Sequence, residues 1–95
     1  MTQMKLIHGS FAQEDAQILL TELTKVKIGF HEQKIRTFHE SEEDIKHSEK
    51  KIIQLGNDLR KMLHEIKSRP DSRVNIDAEI LVGVANEQTM LNQQL

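Results

Sequence analysis

The chain has 95 residues, 37% of them hydrophobic, and a formal net charge of −2 at pH 7. It contains no cysteine, which excludes a disulfide framework and a cysteine-based zinc site. It also has no run of about 18 consecutive apolar residues, the length that a membrane-spanning helix needs.

These properties predict one small domain, covering residues 1–95, with a thin core. Three Phe are the only aromatic residues, and a chain of this size buries a modest fraction of its surface. We therefore expect a partner to cover apolar surface: a second copy, in a homodimer or higher oligomer, or another helical protein. The first residues lack the long apolar stretch of a secretory signal, so we expect a cytoplasmic protein that does not bind membranes.

The N-terminal third predicts a strand followed by a helix. The apolar run over residues 4–8 ends at Gly9, which is typical of a short strand. Ser10 and Gln13 have the spacing of a capping box, in which both side chains bond backbone N–H groups at the start of a helix. We therefore expect a helix over residues 11–39. The side chains that form its predicted apolar stripe are Ala16, Leu19, Leu20, Leu23, Val26, Ile28, Ile35 and Phe38.

A second helix is predicted over residues 41–68. Ser41 is a favourable N-cap, three acidic residues follow it, and Pro70 stops the helix at its other end. Apolar residues recur at the a and d positions of a heptad repeat, as in a coiled coil. They are Ile45, Ile52, Leu55, Leu59, Met62 and Ile66. Such a seam must be buried against another helix, so these six are the predicted interface residues.

Two helices of similar length favour an antiparallel hairpin with its turn near residues 39–41. Lys34 and Arg36 suit the negative end of the first helix dipole. The alternative is one continuous helix, because Phe38 and Ile45 are seven residues apart and keep the apolar seam in phase.

The C-terminal part predicts a strand over residues 74–82, where apolar and polar residues alternate before Gly83. A hairpin brings this strand to the end at which the first strand enters, so the two can pair antiparallel. Residues 85–95 form a polar tail. The predicted fold class is mainly α, a coiled-coil-like antiparallel helical hairpin flanked by short N- and C-terminal strands. Oligomerisation is expected to complete it, because a two-stranded ribbon is marginally stable alone.

The histidines are the residues best suited to chemistry. His39, Glu43 and His47 are spaced by four and are candidate metal ligands, but a turn at His39 breaks their shared face, so we predict no metal site. His-Glu dipeptides begin at His31, His39 and His64. Adjacent helical residues point about 100° apart, so the His and Glu of one dipeptide cannot act together as a local pair. We therefore interpret them as surface polar residues. With no catalytic motif or glycine-rich phosphate loop, we expect no enzyme, no catalytic residue and no cofactor.

Positive charge is concentrated in residues 46–69, where seven Lys and Arg outnumber three Asp and Glu, a net charge of +4. A basic helix can contact phosphates, so a nucleic-acid-associated regulator is the alternative function, and a metal-binding helical protein is the second alternative. The negative chain as a whole and the lack of interleaved aromatic residues argue against nucleic acid. The main prediction is a non-enzymatic structural or protein-interaction module.

Two short segments carry a resemblance. Ile7, Gly9 and Phe11 at alternate positions lead into an acidic helix start, and residues 27–31 read KIGFH. Together they resemble a family of small uncharacterised bacterial proteins over the first third of the chain. The resemblance implies a small bacterial cytosolic protein and implies no site residue.

Overall fold

The computed structural model describes residues 1–36 and 41–85. Its elements in chain order are β1 (Thr2–Phe11), α1 (Gln13–Arg36), α2 (Glu42–Lys67) and β2 (Val74–Val82). The two helices pack antiparallel, and the two strands pair antiparallel at the end of the hairpin where α1 begins and α2 ends. The predicted helical hairpin is therefore confirmed, and the single continuous helix is excluded. Residues 39–40 of the predicted turn and the predicted tail beyond Ala85 lie outside the described residues.

The start of α2 follows local sequence signals. Ser41 is its N-cap: the Ser41 hydroxyl accepts from the Asp44 N–H at 3.1 Å, and the Ser41 carbonyl accepts from the Ile45 N–H at 3.0 Å. Acidic residues fill the first turn, as predicted. At the other end, the Ser68 N–H donates to the His64 carbonyl at 3.0 Å.

The start of α1 does not follow local signals, and the predicted capping box is wrong. β1 continues through Phe11, so Ser10 is a strand residue instead of a helix cap. Arg73 holds Ser10 there, because its Nε donates to the Ser10 hydroxyl at 2.9 Å and its Nη2 to the Ser10 carbonyl at 2.8 Å. Gln13 donates from Nε2 to the carbonyls of Arg69 and Ser72, the latter at 3.1 Å. Both residues therefore tie the β1–α1 junction to the segment between α2 and β2.

This position of Gln13 gives a prediction. Gln13→Glu replaces an amide donor by a carboxylate that faces carbonyl oxygens near the negative end of the α2 dipole. We expect the free energy of unfolding to fall by about 1–2 kcal/mol, and by less in Gln13→Ala. Urea unfolding followed by circular dichroism measures both. The control is Gln54→Glu, at an exposed position on α2. Equal stability of Gln13→Glu and this control would contradict the assigned role.

The sheet contains one irregularity that sets its apolar face. Lys5 pairs with Glu79 and Ile7 pairs with Ala78, so Leu6 is an extra residue in β1, a β-bulge. Without the bulge, Met4 and Ile7 would point to opposite faces, because side chains alternate along a strand. The bulge brings Met4 to the face that Ile7 occupies. This face is apolar along most of the ribbon, although the β1 sequence does not alternate regularly.

The core lies where all four elements meet. Among the described residues, each element contributes one buried apolar residue to this core: Ile7, Ala16, Ile66 and Ile76. Phe11, Leu19, Leu20, Val74 and Ala78 pack against them and are partly buried. The chain therefore has a small core at the base of the hairpin, and both the rest of the hairpin and the far end of the ribbon extend beyond it.

Candidate interaction surface

The predicted seam of α2 forms the buried face of that helix. Ile66 is buried in the core, four of the other five seam residues are half-buried, and Met62 is 37% exposed. Ser48 and Leu63 share this face and are also covered. Since α1 packs along α2, the hairpin itself covers much of this seam.

Helix α1 differs from α2 because it carries apolar side chains on two faces. One face is covered and includes Ala16, Leu20 and His31. The other face carries Leu19, Leu23, Val26 and Phe30, which we call the α1 row. The predicted single stripe of α1 therefore divides into two, and Val26, predicted to be buried, is 74% exposed. Successive helical residues point about 100° apart, which is why Phe30 is exposed beside the buried His31.

The α1 row begins beside the core at Leu19 and continues along α1 away from the core. Leu19 packs against the core, whereas Leu23 and Phe30 are each a little over one-third exposed. The spacing of the row is four, three and four residues, which is the spacing of a helix–helix seam. The spacing of the α1 row is present in the sequence, but it overlaps the spacing of the covered stripe. Only the packing of α2 shows which apolar residues are covered and which are exposed.

A second exposed apolar row runs along the ribbon. Met4, Ile80 and Val82 lie on the sheet face that carries Ile7 and Ala78, and all three are exposed. We call them the sheet row. Because both rows begin at the same core, the apolar interior continues to the surface in two directions. Exposed apolar residues in continuous groups mark interaction sites more often than scattered ones do.

A polar contact lies inside the hairpin away from the core. His31 is 2% exposed, so its interpretation as a surface residue is wrong. Its Nδ1 lies 3.4 Å from the hydroxyl oxygen of Ser48 on α2, and its ring meets those of Phe30 and His47 edge-on, with centroids 5.3 and 6.4 Å apart. A small hydroxyl residue on α2 leaves room for the imidazole between the helices. The sequence alone does not reveal this pairing, because the two residues are 17 positions apart.

The outer face of α2 is basic. Beyond the acidic first turn, five cations lie on this face with Glu49 as the one acid between them: Lys46, Lys50, Arg60, Lys61 and Lys67. Within residues 1–36 and 41–85, none of these five lies within 4 Å of a carboxylate, whereas His8 pairs with Asp77 and Lys25 pairs with Glu22. Ile53, which is 64% exposed, lies among them.

The candidate metal ligands do not form a described site. His39 lies outside the described residues, and Glu43 and His47 are exposed on α2. No group of three or more His, Asp or Glu side chains in the described part of the chain is arranged to hold a metal ion.

The described helices also include none that is long and apolar enough to cross a membrane. Comparisons with models of protein families, with curated proteins and with solved structures find no match to this chain. The resemblance of its first third to small bacterial proteins therefore stays a prediction. The features that define the molecule are a two-stranded ribbon on a helical hairpin and two exposed apolar rows.

Proposed function

We propose that this chain is a non-enzymatic, self-assembling structural or interaction module of the cytoplasm. The observation that carries the proposal is the continuation of the core into two exposed rows of apolar side chains. Burying such side chains is favourable by about 25 cal/mol per Å² of apolar surface, and few of the described apolar residues are buried within one copy. A second copy supplies the missing cover and stabilises the marginal two-stranded ribbon.

The mass in solution tests the proposal. Sedimentation of the purified chain at micromolar concentration should give at least twice the 11.0 kDa of one copy. Because association stabilises the folded chain by mass action, the midpoint of thermal unfolding should also rise with protein concentration. A folded monomer whose unfolding midpoint does not depend on concentration would contradict the proposal.

The basic outer face of α2 supports a second candidate, a nucleic-acid-associated regulator. Five cations without ion pairs in the described residues can replace the counterions of phosphate groups. Binding to a short random-sequence DNA duplex should then weaken with salt, with a log–log slope of about −4.5 if all five contact phosphates. Lys50→Glu should weaken binding, whereas Lys25→Glu on α1 should not. No binding at low salt would remove this candidate.

A further inference from the structure

We infer that two copies of this chain associate through the α1 row, with the two α1 helices antiparallel about a two-fold axis. This inference rests on the proposed self-assembly and names the surface that carries it. The occupant of the row is therefore a second copy of the same chain.

The apolar side chains define where the helices meet. Leu19, Leu23, Val26 and Phe30 occupy successive d and a positions of a heptad repeat, on the side of α1 that α2 leaves open. A two-fold contact uses the same surface patch on both copies, and a single straight row of this kind can pack against the same row of a second copy. Leu19 joins the row to the core, so the contact extends the existing core instead of forming a separate one.

The charges beside the α1 row decide whether the two α1 helices pair parallel or antiparallel. Residues 13–24 contain three acidic residues and no base, a net charge of −3, whereas residues 25–36 have a net charge of +3. The heptad positions that flank the row carry Asp15 and Glu22 in the first half and Lys27, Lys34 and Arg36 in the second. An antiparallel pair places the acidic half of each helix beside the basic half of the other. A parallel pair would place like charges together at both ends.

The other long exposed helical face does not suit a second copy. Between Lys46 and Lys67 the outer face of α2 carries five cations and one acid, and its other acids lie in the first turn, so a two-fold contact centred on this stretch would bring like charges together.

The first experiment compares Val26→Asp with Ile53→Asp by sedimentation and circular dichroism. Both replace an exposed aliphatic residue on a helix, but Ile53 lies on the outer face of α2. We expect Val26→Asp to weaken self-association about 100-fold, because each of two copies adds a carboxylate to the contact. Its helix content should equal that of the unchanged chain, since Val26 is 74% exposed. Ile53→Asp should associate as the unchanged chain does.

The second experiment tests the direction, using the absence of cysteine in the chain. Asp15→Cys and Arg36→Cys are prepared separately and then mixed, reduced and reoxidised. In an antiparallel pair, position 15 lies near position 36 of the other copy, whereas two identical positions are separated by about 32 Å along the helices. Disulfide-linked dimers should therefore form in the mixture and not in either variant alone.

The outcomes separate this inference from the proposed function. A monomeric unchanged chain overturns both. An oligomer that Val26→Asp leaves intact overturns the α1 contact while self-assembly stands, and crosslinking of either cysteine variant alone overturns the antiparallel direction. If the unchanged chain is a monomer and deletion of residues 86–95 makes it associate, then the chain's own C-terminal segment occupies the row, which also overturns the inference.

Discussion

Replacing Ile66 with alanine is expected to lower the free energy of unfolding by about 3 kcal/mol. Ile66 is the buried contribution of α2 to the core, where it joins Ile7, Ala16 and Ile76. Removing most of its side chain loses the transfer free energy of the deleted groups and leaves a cavity that the backbone of four different elements cannot easily close. Because a domain is stable by about 5–15 kcal/mol in total, a loss of this size is a large fraction.

Chemical unfolding followed by circular dichroism measures this effect at one fixed protein concentration. The matched control is Ile53→Ala, which makes the same change on the same helix at a position that is 64% exposed. We expect the control to change stability by less than about 0.5 kcal/mol. Similar losses in the two variants would mean that the core is not where the structure places it.

Replacing Leu59 with aspartate is expected to remove the hairpin as a stable unit. Leu59 lies half-buried on the face of α2 that packs against α1, in the middle of the predicted seam. A carboxylate there loses hydration without gaining a described partner, and a buried unpaired charge lowers stability by about 3 kcal/mol or more. Because Leu59 lies at the contact between α1 and α2, the charge destabilises the packing of the two helices. Helix content and self-association should therefore decrease together.

The control for this variant is Gln54→Asp, which adds the same charge at an exposed position of α2. It should remain folded and associated, with a small loss from the lower helix propensity of aspartate. Sedimentation and circular dichroism of both variants give the measurement. If Leu59→Asp keeps its helix content and its mass, Leu59 does not hold the helices together.

The Leu59 and Val26 variants also report on different surfaces. Leu59→Asp should disrupt the fold and the assembly together, whereas Val26→Asp should weaken the assembly about 100-fold and leave the fold intact. This contrast follows from exposure: Leu59 is covered by its own chain, and Val26 is not.

The amino-acid sequence was sufficient for α2, and it favoured the hairpin over one continuous helix, which the antiparallel packing of the helices excludes. The heptad spacing of its apolar residues, the N-cap at Ser41 and the stop at Pro70 are local signals, and the structure agrees with all three. The strand at Val74–Val82 was predictable for the same reason, since apolar and polar residues alternate there. Local signals succeed where each residue's preference and its tertiary contacts point to the same structure.

The candidate surface was only partly predictable. The six residues chosen from the seam of α2 are the ones that the heptad repeat makes conspicuous, but α1 covers much of that face within one chain. Three residues of the α1 row, Leu19, Leu23 and Val26, belong to the single apolar stripe predicted for α1, and their separation from the covered face is not visible in the sequence. A periodic pattern shows that a face is apolar, and the packing of the neighbouring helix decides whether that face remains exposed.

Sequence by itself determined the elements, their order and the need of α2 for a neighbouring helix, because helix caps, apolar spacing and strand alternation act over a few residues. Tertiary structure alone decided the roles of Ser10 and Gln13, which bond to Arg73, Arg69 and Ser72 about 60 positions away. It also decided the bulge at Leu6 and the burial of His31 against Ser48. Each of these depends on a partner that folding brings close and that no local pattern identifies.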